Sequence, residues 1–156
     1  MNDSKEKTVV TNRKARFNYE IVDSLEAGLV LSGSEVKSIR QGRASLKDAY
    51  ARIKDGEVWL IGMHISPYQY SSYEAPDPLR DRKLLLNRHE IKRLGRQVEE
   101  KGFTLIPLRL YFKGHLAKVE LGLARGKRQY DKKEDIARRD AQRDLEREQK
   151  QFKFKM

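Results

Sequence analysis

Residues 49–62 read Ala49-Tyr50-Ala51-Arg52-Ile53-Lys54-Asp55-Gly56-Glu57-Val58-Trp59-Leu60-Ile61-Gly62, and their pattern is that of a β-hairpin. The arms alternate, and Asp55-Gly56 between them suits a type I′ turn, whose two central residues both need positive φ. A tight turn between alternating arms predicts antiparallel β structure around it.

Upstream, Tyr19, Ile21, Leu29, Val30 and Leu31 flank Glu26-Ala27-Gly28, which reads either as a strand pair or as one bent strand. Ser32-Gly33-Ser34 precedes Glu35 to Arg40, where Val36 and Ile39 stand at i and i+3; a serine cap and Gly42 as terminator predict a short helix. Residues 1–11 are polar and read as a flexible leader. Downstream, Pro67, Pro76 and Pro78 interleave with Tyr68, Tyr70 and Tyr73 in an exposed loop. Lys83 to Leu86 is a short strand. Asn87, with Glu90 three residues on, opens a helix whose buried face is Ile91, Leu94 and Val98 and whose end is Gly102. Phe103 to Phe112 and Leu116 to Ala124 form a second hairpin turning at Lys113-Gly114, and Pro107 marks an edge or a bulge. The expected fold is mainly β: an OB-like closed barrel of about six strands with two or three short helices over residues 12–126. Such a fold suits nucleic-acid binding without establishing it.

The formal net charge is +11 and 37% of residues are charged. That surplus calls for a polyanionic partner, because Lys and Arg set against phosphates release counterions. Residues 1–124 carry 22 basic and 16 acidic side chains, residues 125–156 carry 12 and 7, so the last fifth of the chain holds nearly half of the net charge. In that tail, Glu134–Arg138, Asp135–Arg139 and Glu146–Lys150 are helix-supporting i,i+4 pairs, while Ala137, Ala141, Leu145 and Phe152 give only a narrow apolar stripe. Residues 127–156 are therefore expected to be disordered alone and helical when bound. There is no cysteine, which excludes disulfides, thiolate zinc sites and cysteine nucleophiles. The leader lacks the apolar core of a signal peptide and no apolar run approaches a membrane span, so the expected location is cytoplasmic, with no membrane partner.

Catalytic motifs are missing. His64, His89 and His115 have no metal-ligand spacing, and no nucleophile elbow, phosphate loop or dinucleotide fingerprint occurs. No enzyme, metal or cofactor is expected. The basic positions say more. Asn12-Arg13-Lys14-Ala15-Arg16-Phe17-Asn18-Tyr19 joins cations that reach phosphates to aromatics that stack and amides that read base edges; the same stretch reads equally as a solvated leader with Phe17 and Tyr19 entering the core. Arg80, Arg82 and Lys83 form a second cluster, and Arg125, Lys127, Arg128, Lys132 and Lys133 a third.

The order of these pieces resembles the SsrA-binding protein family: Asn12 to Arg16 followed by Tyr19 and Ile21, Glu26 to Leu29, Leu31 to Gly42, Asp55-Gly56-Glu57, His64 to Tyr68, Asp77 to Leu86, and Glu120 to Lys133. The resemblance implies an OB-like barrel that binds the tRNA-like domain of transfer-messenger RNA. It also implies a tail that probes the empty mRNA channel of stalled ribosomes, past the decoding centre and along small-subunit rRNA. Elongation factor Tu would be met indirectly, through the aminoacylated RNA. It further implies RNA contacts at Glu26, Leu85 and Asn87, with Asn12, Lys14, Arg16, Tyr19, Lys37, Arg40, Arg82 and Lys83 on the RNA-facing side. Glu26 cannot serve phosphates, so it would accept from a base amine or a sugar hydroxyl. For the tail the implied positions are Gly126, Lys127, Arg128, Tyr130, Asp131, Lys132, Lys133, Arg138, Arg139, Arg143 and Arg147. Tyr130 and Phe17 stand where some relatives carry His, and Lys133 replaces a more usual Arg, keeping charge but losing the planar fork. A general RNA-binding OB protein and an RNA-processing enzyme are the competing readings; preference for transfer-messenger RNA over tRNA separates the first, a cleavage assay the second.

Overall fold

The structure, a computed structural model, describes residues 6–69, 76–126 and Arg143. In chain order the elements are β1 (Glu6–Thr11), α1 (Ala15–Asn18), β2 (Tyr19–Leu29), α2 (Gly33–Arg40), β3 (Ala44–Ser45), β4 (Tyr50–Lys54), β5 (Glu57–Ile61), β6 (His64–Ile65), β7 (Arg82–Leu85), α3 (Arg88–Lys101), β8 (Thr104–Lys113) and β9 (Leu116–Gly126). The chain divides into two compact units at Arg125/Gly126, within a residue of where the charge pattern changes.

Residues 49–62 fold as their alternation predicts. β4 and β5 pair from Tyr50↔Ile61 to Lys54↔Glu57, and Asp55 and Gly56 take φ of 54° and 74°, the double positive φ of the tight turn. The inward arm residues Val58 and Leu60 are fully buried. β8 and β9 make the second hairpin, and its register slips between Pro107 and Arg109. The slip falls at the proline, which cannot donate to a ladder. Asn12 closes the gap: its backbone N–H donates to Leu108 O at 2.8 Å and its side-chain Nδ2 to Pro107 O at 2.9 Å.

Neighbouring strands pair β8–β4, β4–β5, β5–β7, β7–β2, β2–β9 and β9–β8, which returns to the start and closes a six-stranded ring. β1 adds outside it on β8, and β3 pairs with β6 in a separate two-stranded sheet. The interior holds Leu60, Leu84, Leu105, Leu110, Val119 and Leu121, all 0–1% exposed, each contributing roughly 1.5–3 kcal/mol by burial. α3 lays Leu94, Ile91 and Val98 against that core, and Gly102 ends it in the left-handed conformation.

One expectation changes and one alternative is settled. Glu6–Thr11, placed in the leader, is a strand paired with Arg109–Lys113. Its Val9 and Val10 pack on the core, which gives a polar-looking segment a reason to order. Glu26-Ala27-Gly28 lies inside one eleven-residue strand, so of the two readings the single strand holds.

α2 is fixed by a capping box in which Glu35 N donates to Ser32 Oγ and Ser32 N donates to Glu35 Oε1 at 2.9 Å. The same carboxylate is 4% exposed and meets two arginines. Arg82 Nε donates to Glu35 Oε2 at 2.7 Å, Arg80 Nε to the same oxygen at 3.1 Å, and Arg82 also donates to Met63 O at 2.7 Å and Pro78 O at 3.1 Å. One buried ion cluster thus ties α2, the chain after β5, the loop before β7 and β7 itself.

Candidate nucleic-acid interface

Alternation along the barrel wall sorts the predicted residues. On β7, Arg82 and Leu84 are buried while Leu85 is 53% exposed. On β2, Ala27 and Leu29 point in, leaving Glu26 and Gly28 on the outer face. β2 and β7 pair with Gly28 opposite Leu85. A Cβ at Gly28 would lie 3.3 Å from Leu85 Cβ, so glycine is what lets the leucine lie against β2. Two residues past Leu85, Asn87 opens α3, exposed, its N–H donating to Glu90 Oε1 at 3.0 Å. Continuing the antiparallel register runs Asn87 toward Glu26. The three positions implied as RNA contacts therefore gather where β2, β7 and the start of α3 meet: an acceptor, an exposed aliphatic surface and an amide.

Glu26 is held rather than loose. The Tyr111 hydroxyl donates to its Oε2, Lys113 Nζ lies 3.7 Å from Oε2 and Lys118 Nζ 3.8 Å from Oε1. The Tyr111 hydrogen bond, followed by the two lysines, outweighs partial burial and holds the carboxyl below the usual glutamate range. It is charged at neutral pH, an acceptor only.

The opening cluster sits elsewhere. Lys14 precedes and Arg16 lies within α1, both exposed. Tyr19 packs against Ala15, Ile106, Leu108 and Ala124. So the two readings of this stretch divide between its residues: tyrosine inward, cations outward. Lys14, Arg13 and Lys47 line a groove of about 510 Å³ with Asn12, Asn18 and Tyr50. Glu26 is seven residues from Tyr19 along β2, roughly 23 Å at strand rise, so the sequence-predicted residues form two surfaces rather than one.

On α2, Lys37 and Arg40 are exposed one turn apart; Arg40 stacks on Phe112 at 4.4 Å and Lys37 lies 5.5 Å from the Tyr68 ring centroid. Lys83 is partly exposed and paired with Glu57 at 2.8 Å, which offsets its charge. Arg82 is a correction. It is 0% exposed with its guanidinium committed to Glu35, Met63 and Pro78, and no RNA can reach it; strand alternation puts it inside, and burial is possible only because Glu35 is there. Asn12 keeps its place beside the cations, though its amide nitrogen serves the bulge. Of the tail positions, Gly126 ends β9 and Arg143 is helical and exposed; Lys127, Arg128, Tyr130, Asp131, Lys132, Lys133, Arg138, Arg139 and Arg147 lie outside the described residues. Tyr111, Lys113 and Lys118 escaped sequence reasoning, since their relevance depends on β8 and β9 standing beside β2, a long-range register no local pattern carries.

The model of the SmpB protein family matches residues 9–151. The chain belongs to the SmpB family. The match spans both units, barrel and tail, so the family's pattern extends beyond the described residues. An SsrA-binding protein of Acetivibrio thermocellus is 55% identical over 151 residues, 97% of this chain and 98% of the relative. One from Chloroflexus aggregans is 60% identical over 140 residues, 89% of each chain. A solved SmpB-family chain, from the structure described as "tmRNA-SmpB: a journey to the center of the bacterial ribosome", superposes with a TM-score of 0.65 at 50% identity, covering 81% of this chain and 93% of that one.

Proposed function

We propose that this chain binds the tRNA-like domain of transfer-messenger RNA and brings it to stalled ribosomes for trans-translation. What carries the reading is the meeting of Glu26, Leu85 and Asn87 on one outer face in a chain whose SmpB-family relatives are SsrA-binding proteins. The chemistry fits an RNA with splayed, unpaired bases: Leu85 offers a flat apolar contact, Asn87 and Glu26 read hydrogen-bonding edges, and the surrounding cations meet phosphates. The family is one of RNA-binding proteins, and the chain acts as a binding partner with no catalytic step of its own. Lys14, Arg16, Lys37 and Arg40 serve RNA backbone, and residues 127–156 are the ribosome-directed tail, set against rRNA of the decoding centre and mRNA channel. Elongation factor Tu is met only through the aminoacylated RNA, and the site of action is the cytoplasm. Among the described residues no helix is long and apolar enough to cross a membrane.

Binding to transfer-messenger RNA against a matched tRNA tests this directly: a clear preference for the former is expected, and equal affinity would reduce the protein to a general RNA binder. Changing Lys14 and Arg16 together to Ala should weaken binding and flatten the log–log salt slope by about 1.4–1.8 if each meets one phosphate; an unchanged slope means neither does. Glu26→Ala and Asn87→Ala should each lower affinity with the barrel intact. For Asn87 a stability loss near the lower end of the cap range, roughly 0.5 kcal/mol, is expected as well. A stability loss without an affinity loss would make Asn87 a helix start and nothing more.

A further inference from the structure

We propose that Tyr111 is a positioning residue for RNA recognition, holding the Glu26 carboxylate as a fixed acceptor for an N–H or O–H donor of the RNA. This rests on the reading of Glu26 as an RNA contact. A glutamate on a strand surface ordinarily samples several rotamers. Here the Tyr111 ring is 2% exposed, so its hydroxyl is delivered from a covered, rigid position to Glu26 Oε2, whose side chain remains 35% exposed. A covered phenol needs a partner for its O–H, and this one has a partner facing solvent.

The ring is itself clamped. The Arg109 guanidinium stacks 4.0 Å from its centroid, and Arg109 donates to Glu120 Oε2 at 3.0 Å, Thr8 Oγ1 at 3.1 Å and Glu6 Oε2 at 2.9 Å. Contacts therefore run from β1 through β8 and β9 to Glu26 on β2. Lys113 and Lys118 approach different oxygens of the same carboxylate, and the carboxyl stays ionised well into mild acid. A fixed anion among cations rejects phosphate and selects hydrogen-bond donors, so its ligand group is a base amine or imine or a ribose 2′-hydroxyl.

The test is a double-mutant cycle with the full-length protein, measuring Kd for transfer-messenger RNA in wild type, Tyr111→Phe, Glu26→Ala and the double variant. Tyr111→Phe keeps the ring and the Arg109 stack and removes only the hydroxyl. It should weaken binding roughly 3- to 10-fold, and the double variant should bind no worse than Glu26→Ala. The pH profile adds a readout that a merely structural tyrosine would not move. The groups facing Glu26 are Tyr111, Lys113 and Lys118, none of them a second carboxylate, so an acid limb reports Glu26, and it should begin at higher pH in Tyr111→Phe. Arg109→Lys, which loses the planar stack and fork, should give a smaller loss that also vanishes beside Glu26→Ala, and it decides the matter if Tyr111→Phe does not fold. Wild-type protein with no preference for transfer-messenger RNA would overturn the functional reading and this one together. Wild-type preference with additive losses, or with an unmoved acid limb, would overturn the role of Tyr111 alone.

Discussion

Removing residues 129–156 should abolish tagging on stalled ribosomes and leave affinity for transfer-messenger RNA nearly unchanged. The barrel unit ends at Arg125 and contains both surfaces assigned to that RNA, whereas the tail carries a disproportionate share of the positive charge. In a channel walled by rRNA, phosphates would neutralise Lys132, Lys133, Arg138, Arg139, Arg143 and Arg147 and offset the entropy of ordering, about 1–2 kcal/mol per residue. An mRNA already filling the channel should exclude the tail. Full-rate tagging by the truncated protein, or a loss of RNA affinity as large as that of the Lys14/Arg16 double variant, would separate the tail from the function given to it.

The second large effect concerns stability. Arg82→Ala leaves the buried Glu35 with Arg80 as its one remaining arginine and takes a donor from Met63 O and Pro78 O, and should cost roughly 3–5 kcal/mol in urea unfolding, enough to consume much of a domain's stability. The variant should also be more acid-sensitive. Burial pulls the Glu35 carboxyl upward, but hydrogen bonds from Arg80, the Ser32 backbone and Arg82 outweigh it and leave the folded value depressed. A depressed folded value contributes stability that is present above the unfolded value, about 4.3, and is lost as pH falls through the folded one. Without Arg82 the depression shrinks, so acid unfolding should begin at higher pH. A loss below about 1 kcal/mol would mean the cluster is no better than an exposed pair.

Legibility in the sequence followed the range of the interactions. The hairpin at Asp55-Gly56 and the helix from Asn87 to Gly102 are local matters of turn and cap chemistry and read directly; a serine cap before α2 and an irregularity at Pro107 also read locally, though which serine, and edge or bulge, the structure decides. β1 does not, because its order comes from pairing with residues a hundred positions away. Arg82 looked like one of three surface cations for the same reason: its partner Glu35 is 47 residues distant, and the strand that turns it inward starts one residue earlier than the pattern from Lys83 suggested. Glu26, Leu85 and Asn87 came from family resemblance; their meeting depends on the β2–β7 register, and the Tyr111 hydroxyl on Glu26 depends on β8 standing near β2.

The order in which the ring closes bears on how the protein is made. β9 completes it by pairing with both β8 and β2, and it is the last of the described strands to be synthesised. A nascent chain halted before Leu116 would carry two open edges, one on β2 and one on β8, each a template for pairing with another chain. At about 5–20 residues per second, the wait from completion of β2 at Leu29 to the end of β9 at Gly126 lasts several seconds. The ring therefore cannot close until every strand before β9, and β9 itself, has been made.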